Sequence, residues 1–216
     1  MFLRFMNNIS FVKNLLAVLF AWFLLTNHVS AQDDKNLMIL GDSISAGYGV
    51  ETKKQWTKIL QKKLDEAQLN LQIINTSVSG DTTGGGVSRI ESLLQNFSPD
   101  ILLIELGGND ALRGYPVQTI QANLKKIALI ANQQNIRVLL MQIKIPPNYG
   151  RRYVEAFEAI YVNLGNEENI SLFPFMLEPV ALNDDFMLPD GIHPNEKAQA
   201  VIADFMYKNL KVFIED

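Results

Sequence analysis

The sequence predicts a three-layer α/β/α sandwich around a five-stranded parallel sheet. Three observations carry that prediction. Five short apolar runs recur along the chain, and two of them stop at glycine. Between them lie longer stretches whose apolar residues repeat every three or four positions. The apolar runs are continuous rather than alternating, which suits strands covered on both faces. Strands that alternate with helices favour parallel pairing through helical crossovers.

The elements follow in order. Residues 1–31 read as a leader rather than as part of the fold. Arg4 and Lys13 start it, no acid precedes Asp33, and Leu15 to Leu25 is unbroken apolar sequence. That run has 11 residues, whereas a membrane-spanning helix needs roughly 20. Val29-Ser30-Ala31 then offers modest side chains for a signal peptidase, so cleavage is expected before Gln32. Removing two bases and no acids shifts the net charge from −4 to −6. The remaining 32–216 is expected to be a single domain, long enough to bury a core.

The first strand is expected at Leu37-Met38-Ile39-Leu40, ending at Gly41. Trp56, Ile59, Leu60, Leu64 and Ala67 mark a helix face. Leu71-Gln72-Ile73-Ile74 is the second strand, followed by a helix on Val87, Ile90, Leu94 and Phe97. Ile101 to Leu106 is the third, closed by Gly107-Gly108, and Ile120, Leu124, Ile127 and Ala131 define the next helix. Ile136 to Met141 is the fourth strand, with Val154, Phe157, Ile160 and Leu164 after it. Ile170-Ser171-Leu172-Phe173 is the fifth, and Ala198, Val201, Ile202 and Phe205 close the series. Pro116 and Pro194 are expected in first helical turns, where the missing N–H costs nothing.

Composition excludes several chemistries. Lys and Arg number 19 against 23 acids, and no basic cluster suggests a nucleic-acid surface. There is no cysteine, hence no disulfide, thiol chemistry or cysteine-linked lipid anchor. Of two histidines, His28 falls in the leader, which leaves His193 as the one imidazole of the mature chain. A metal site needs more ligands than that, so no metal and no cofactor are expected. Imidazole is the natural proton carrier near pH 7.

Sites in parallel sheets form at the carboxyl ends of strands, and four segments place reactive groups there. Gly41-Asp42-Ser43 sets a hydroxyl just past the first strand; alone it reads as a helix cap. Ser77-Val78-Ser79-Gly80-Asp81-Thr82 offers the N–H of Gly80 as a donor, with a plain connecting loop as the alternative. Asn109, in Leu106-Gly107-Gly108-Asn109-Asp110, carries an amide able to donate to a developing oxyanion; alone it reads as a turn residue. In Asp190-Gly191-Ile192-His193-Pro194 the carboxylate can accept the Nδ1 proton and leave Nε2 as a base. No lysine follows the glycines at 84–86, so a P-loop is excluded, and no Gly-x-Gly-x-x-Gly follows the first strand. The lipase elbow Gly-x-Ser-x-Gly is absent too, because Ser45 stands at its last glycine.

Taken together and in this order, the four segments resemble the SGNH, or Gly-Asp-Ser-Leu, hydrolases. The match is nearest to the thioesterase I/protease I/lysophospholipase (arylesterase) branch, with Gly-Asp-Ser-Ile in place of Gly-Asp-Ser-Leu. The resemblance runs from Leu37 to about Asn195. It implies a flavodoxin-like fold and an esterase acting through Ser43, His193 and Asp190. The oxyanion hole would be the N–H groups of Ser43 and Gly80 with the side chain of Asn109. The expected partner is a small-molecule acyl ester or thioester: fatty acyl thioesters, lysophospholipids or aryl esters. Neither nucleic acid nor a lasting membrane anchor is expected, a monomer is favoured, and the location implied is periplasmic. Ile145, Pro146 and Tyr149 follow the fourth strand and are expected to line the acyl pocket, with Arg113 and Tyr115 at its edge. A carbohydrate acetylesterase and a non-catalytic binding module of the same fold are the alternatives.

Overall fold

The computed structural model describes residues 35–215, all within one unit, Asp34–Asp216. The leader expected at 1–31 lies outside the described residues. Five strands form the sheet: β1 (Lys35–Gly41), β2 (Leu71–Asn75), β3 (Ile101–Glu105), β4 (Arg137–Met141) and β5 (Ile170–Phe173). Their spatial order is β2-β1-β3-β4-β5, and every pairing is parallel. Each predicted run is thus a strand. The central ones are covered on both faces: Leu37 to Leu40 and Leu102 to Ile104 have no exposed surface. Burying each such side chain is worth about 1.5–3 kcal/mol.

The helices between strands are α2 (Trp56–Glu66), α3 (Thr83–Phe97), α5 (Val117–Asn132) and α6 (Arg151–Gly165), and α7 (Ala198–Glu215) ends the chain. Two shorter helices at the strand ends, α1 (Ser43–Ala46) and α4 (Gly108–Leu112), have no apolar stripe to announce them. Right-handed crossovers put α2 on one face of the sheet and α3, α5 and α6 on the other. The packing agrees: α2 lies against α7, and α5 lies against both α3 and α6. The stripes point inward as expected, with Ile120, Leu124, Ile127 and Ala131 wholly buried. Two stripe ends differ. Phe97 is 42 % exposed, because α3 stops there and Ser98 turns left-handed at φ 41°. On α7 the buried row continues through Met206 and Leu210, with Phe205 at its margin.

The prolines split. Pro116 caps α5 directly before its first residue. Pro194 is not in a helix; it bridges to Met187 as a short antiparallel contact, four residues ahead of α7. That contact closes the loop carrying Asp190 and His193, with the Leu188 N–H donating to the His193 carbonyl at 2.7 Å.

The chain moves outward from β1 to β2, then crosses back to place β3 on the other side of β1. The crevice between the carboxyl ends of β1 and β3 is therefore the switch point where such sheets bind ligands.

Candidate active site

The turn after β1 brings Ser43 to that crevice. Asp42 caps α1, its Oδ1 accepting from the Ile44 N–H at 3.0 Å. The turn is packed so closely that Gly41 cannot carry a side chain. A Cβ there would lie 2.6 Å from Glu105 Oε2 and 2.8 Å from Ser77 Oγ. Ser43 itself is 9 % exposed, and its Oγ lies 2.8 Å from His193 Nε2.

His193 reaches it from a segment 150 residues away in sequence. Its Nδ1 is 2.7 Å from Asp190 Oδ2. A carboxylate only accepts, so Nδ1 carries the ring proton and Nε2 accepts from the serine hydroxyl. Asp190 Oδ1 is occupied separately by the N–H groups of Ile192 and His193, at 2.9 and 3.0 Å. Partial burial pushes the Asp190 pKa up. The two N–H groups and the imidazole outweigh that and hold it at about 2. The Tyr48 ring lies over the imidazole, with centroids 4.5 Å apart.

Asn109 stands at the start of α4 and lines the same cleft as Ser43 and His193. One of its amide hydrogens goes to Asp42 Oδ2 at 2.9 Å, which fixes the plane of the amide and leaves the second hydrogen for a ligand. Gly80 sits in the loop between β2 and α3 with φ 80°. Its carbonyl accepts from Arg113 Nη2 at 3.2 Å, so Arg113 meets the loop rather than the cleft lining.

The loops carrying Gly80 and Asn109 are bolted together. Asp110 is 1 % exposed and accepts from the Thr83 hydroxyl at 2.6 Å and the Thr83 N–H at 2.9 Å. Under the Ser43 turn lies Glu105, 2 % exposed, accepting from the Ser45 hydroxyl at 2.7 Å and the Asp42 N–H at 3.2 Å. Burial, and then the neighbouring Asp42 charge, push the Glu105 pKa well up. Burial also raises Asp42, to about 6. Sequence reasoning missed this acid pair and Tyr48. One signal was available: Glu105 is the lone acid within the apolar run of the third strand.

A cleft of about 690 Å³ extends from Ser43. Ile143, Ile145, Pro146, Phe175, Met176 and Leu177 line it, and Lys144 and Glu178 pair at its rim at 2.5 Å. Ile145 and Pro146 thus line the same cleft as Ser43, whereas Tyr149 does not. The short turn Pro147–Tyr149 swings its ring into a neighbouring hollow with Tyr115 and Tyr153, and its hydroxyl donates to the Leu112 carbonyl at 3.3 Å. Tyr115 shares that hollow rather than the cleft edge. Among the described residues, no group of three His, Cys, Asp or Glu side chains is placed to hold a metal ion.

The chain is similar to known proteins. The model of the GDSL-like lipase/acylhydrolase family matches residues 39–201. An arylesterase from Vibrio mimicus is 42 % identical over 181 residues, covering 84 % of this chain and 90 % of that one. The thioesterase 1/protease 1/lysophospholipase L1 of Escherichia coli K12 is 44 % identical over 191 residues, covering 88 % and 89 %. The crystal structure of the psychrotrophic esterase EstA from Pseudoalteromonas sp., inhibited by monoethylphosphonate, superposes with a TM-score of 0.82. It is 40 % identical and covers 85 % of this chain and all of that one. With a sheet, a motif order and a family match that agree over most of its length, the chain belongs to the GDSL-like lipase/acylhydrolase family of SGNH hydrolases.

Proposed function

We propose that the protein is a serine esterase that hydrolyses acyl esters and thioesters. The observation that carries this reading is the hydrogen-bonded chain from Ser43 Oγ through His193 to Asp190, opening on an apolar cleft. Ser43 Oγ attacks the acyl carbonyl while its proton passes to His193 Nε2. Asp190 holds the ring tautomer and stabilises the imidazolium. The oxyanion is held by the N–H groups of Ser43 and Gly80 and the free amide hydrogen of Asn109. The tetrahedral species collapses, His193 returns the proton to the departing alcohol or thiol, and an acyl-Ser43 ester remains. Water, deprotonated by the same imidazole, attacks that ester and releases the acid.

The cleft lining supports fatty acyl chains over acetyl groups, since apolar side chains, prolines and methionines included, outnumber polar ones along it. The arylesterase, thioesterase and lysophospholipase relatives support the same class. Aromatic platforms for sugars have little support: Trp56, the one tryptophan beyond the leader, is fully buried in the core. Residues 32–216 would act as one domain in the periplasm after loss of the leader, a location supported by the apolar run at 15–25 and the small residues before Gln32. No helix among the described residues is long and apolar enough to cross a membrane.

The test is hydrolysis of nitrophenyl esters from acetyl to palmitoyl by residues 32–216, beside a Ser43→Ala variant. Activity should rise with chain length beyond acetyl and vanish in the variant while the melting temperature holds. Equal turnover by both proteins contradicts the serine reading. A sharp preference for acetyl contradicts the fatty acyl one.

A further inference from the structure

Arg89 projects from the second turn of α3 and takes no part in the chemistry just described. It is 22 % exposed at the side chain, and its partner Asp81 is 10 % exposed. Its guanidinium is spread over one side-chain carboxylate and two backbone carbonyls, from three separate segments of the chain. Nε and Nη2 both lie 2.8 Å from Asp81 Oδ2. Nη1 donates to the Thr76 carbonyl at 2.5 Å, and Nη2 approaches the Gly41 carbonyl at 3.5 Å. Asp81 in turn accepts from the Thr82 N–H at 2.9 Å through its other oxygen.

These contact points are not scattered. Gly41 ends β1 two residues before Ser43, Thr76 follows the last residue of β2, and Asp81 directly follows Gly80. Two N–H donors of the oxyanion hole, on Ser43 and Gly80, belong to turns from different strands. The N–H of Val78 donates to the Gly41 carbonyl at 3.0 Å and joins the two turns. Arg89 grips both at once from α3, beside the Asn75 amide, which donates to the Ser45 carbonyl at 2.7 Å and accepts from the Ser77 N–H at 3.1 Å. Gly80 itself, at φ 80°, has open space around its Cα, with only Arg113 within 4 Å of a Cβ placed there, so its orientation depends on such ties.

We propose that Arg89 is a positioning residue for the oxyanion hole: with Asp81 it fixes the spacing between the Ser43 and Gly80 N–H groups. A planar fork with five donors can do this, and a lysine ammonium cannot hold three directions with the same geometry. Such a role has a kinetic signature. Donors misplaced by a fraction of an ångström weaken the transition state, where charge sits on the oxygen, more than they weaken substrate binding. The inference rests on the esterase reading above.

The experiment compares wild type, Arg89→Lys, Arg89→Leu and Asp81→Asn, each counted by active-site titration with a nitrophenyl alkylphosphonate. Leu94→Ala, at the far end of α3, serves as a stability control; Leu94 is 1 % exposed. In the Arg89 and Asp81 variants kcat per titrated site should fall roughly tenfold or more, a part of the 10²–10³ lost when a donor is removed outright. KM should stay within about twofold and the pH–rate profile should keep its midpoint, since the triad is untouched. Phosphonylation should slow in parallel with kcat. Should Arg89→Leu fail to fold, Arg89→Lys and Asp81→Asn carry the test. Leu94→Ala should lose melting temperature and keep kcat. Arg89→Lys and Asp81→Asn proteins with wild-type kcat per site, whatever their melting temperatures, overturn the proposal. Wild type without ester hydrolysis or phosphonylation overturns the esterase reading instead, so the two failures are distinguishable.

Discussion

Two carboxyl groups flank Ser43, and their surroundings push them in opposite directions. Asp190 stands near solvent, and donors converge on it: two backbone N–H groups and the imidazole hold its pKa at about 2. Asp42 is 5 % exposed and backed by buried Glu105, and burial lifts its pKa to about 6 despite bonds from Ile44 and Asn109. The difference teaches that a carboxylate beside an active site is tuned by the balance of donors against lost water. On the proposed mechanism, Asp190 is equipped to stay charged while a cation forms next to it. Asp42 works as a bracket that orients the Asn109 amide.

That contrast makes graded predictions. Asp190→Asn should be the most damaging, lowering kcat by about 10⁴-fold, because an amide in that place can stabilise the wrong ring tautomer. Steady-state kinetics on a nitrophenyl octanoate would show it, with little change in KM. Asn109→Ala removes an oxyanion donor outright and should cost about 10²–10³ in kcat. Asp42→Asn should cost less, roughly tenfold, since the donor it orients remains present though misaligned. A loss at Asp42 equal to that at Asp190 would erase the distinction between the bracket and the carboxylate that orients the imidazole.

The smallest effect lies in stability against pH, and its sign separates the two groups. Asp42 has a folded-state pKa raised from 3.8 to about 6, so its contribution is fully present below pH 3.8 and is lost as pH rises through 6. Asp190 has a folded-state pKa lowered from 3.8 to about 2, so its contribution is present above pH 3.8 and is lost as pH falls towards 2. Melting curves from pH 3 to 8 should show Asp42→Asn losing less stability than wild type on the alkaline side. Asp190→Asn should instead flatten the acid side. Identical pH profiles for the two variants would contradict the opposed tuning.

How far the sequence reaches follows the same division. The strands were legible because each is a burial pattern: Leu37 to Leu40 and Ile101 to Ile104 are continuous apolar runs with both faces covered. The helices were legible wherever a stripe repeated over several turns. Pro194 was misplaced because an isolated bridge to Met187 leaves no periodic trace. Tyr149 was misplaced because one short turn decides which of two hollows a ring enters. The hydroxyl, imidazole and carboxylate were legible through motif order and the scarcity of histidine. The brackets around them were not. Asp42, Asp81, Arg89, Glu105 and Asp110 act through contacts between loops from different strands, and no local spacing encodes those meetings.

The most direct measurement is to treat residues 32–216 with a nitrophenyl alkylphosphonate and map the adduct by peptide mass spectrometry. One phosphonyl group per chain is expected, on the peptide containing Ser43, with hydrolysis lost in step. An adduct on another residue, or full activity with Ser43 blocked, would contradict the serine reading.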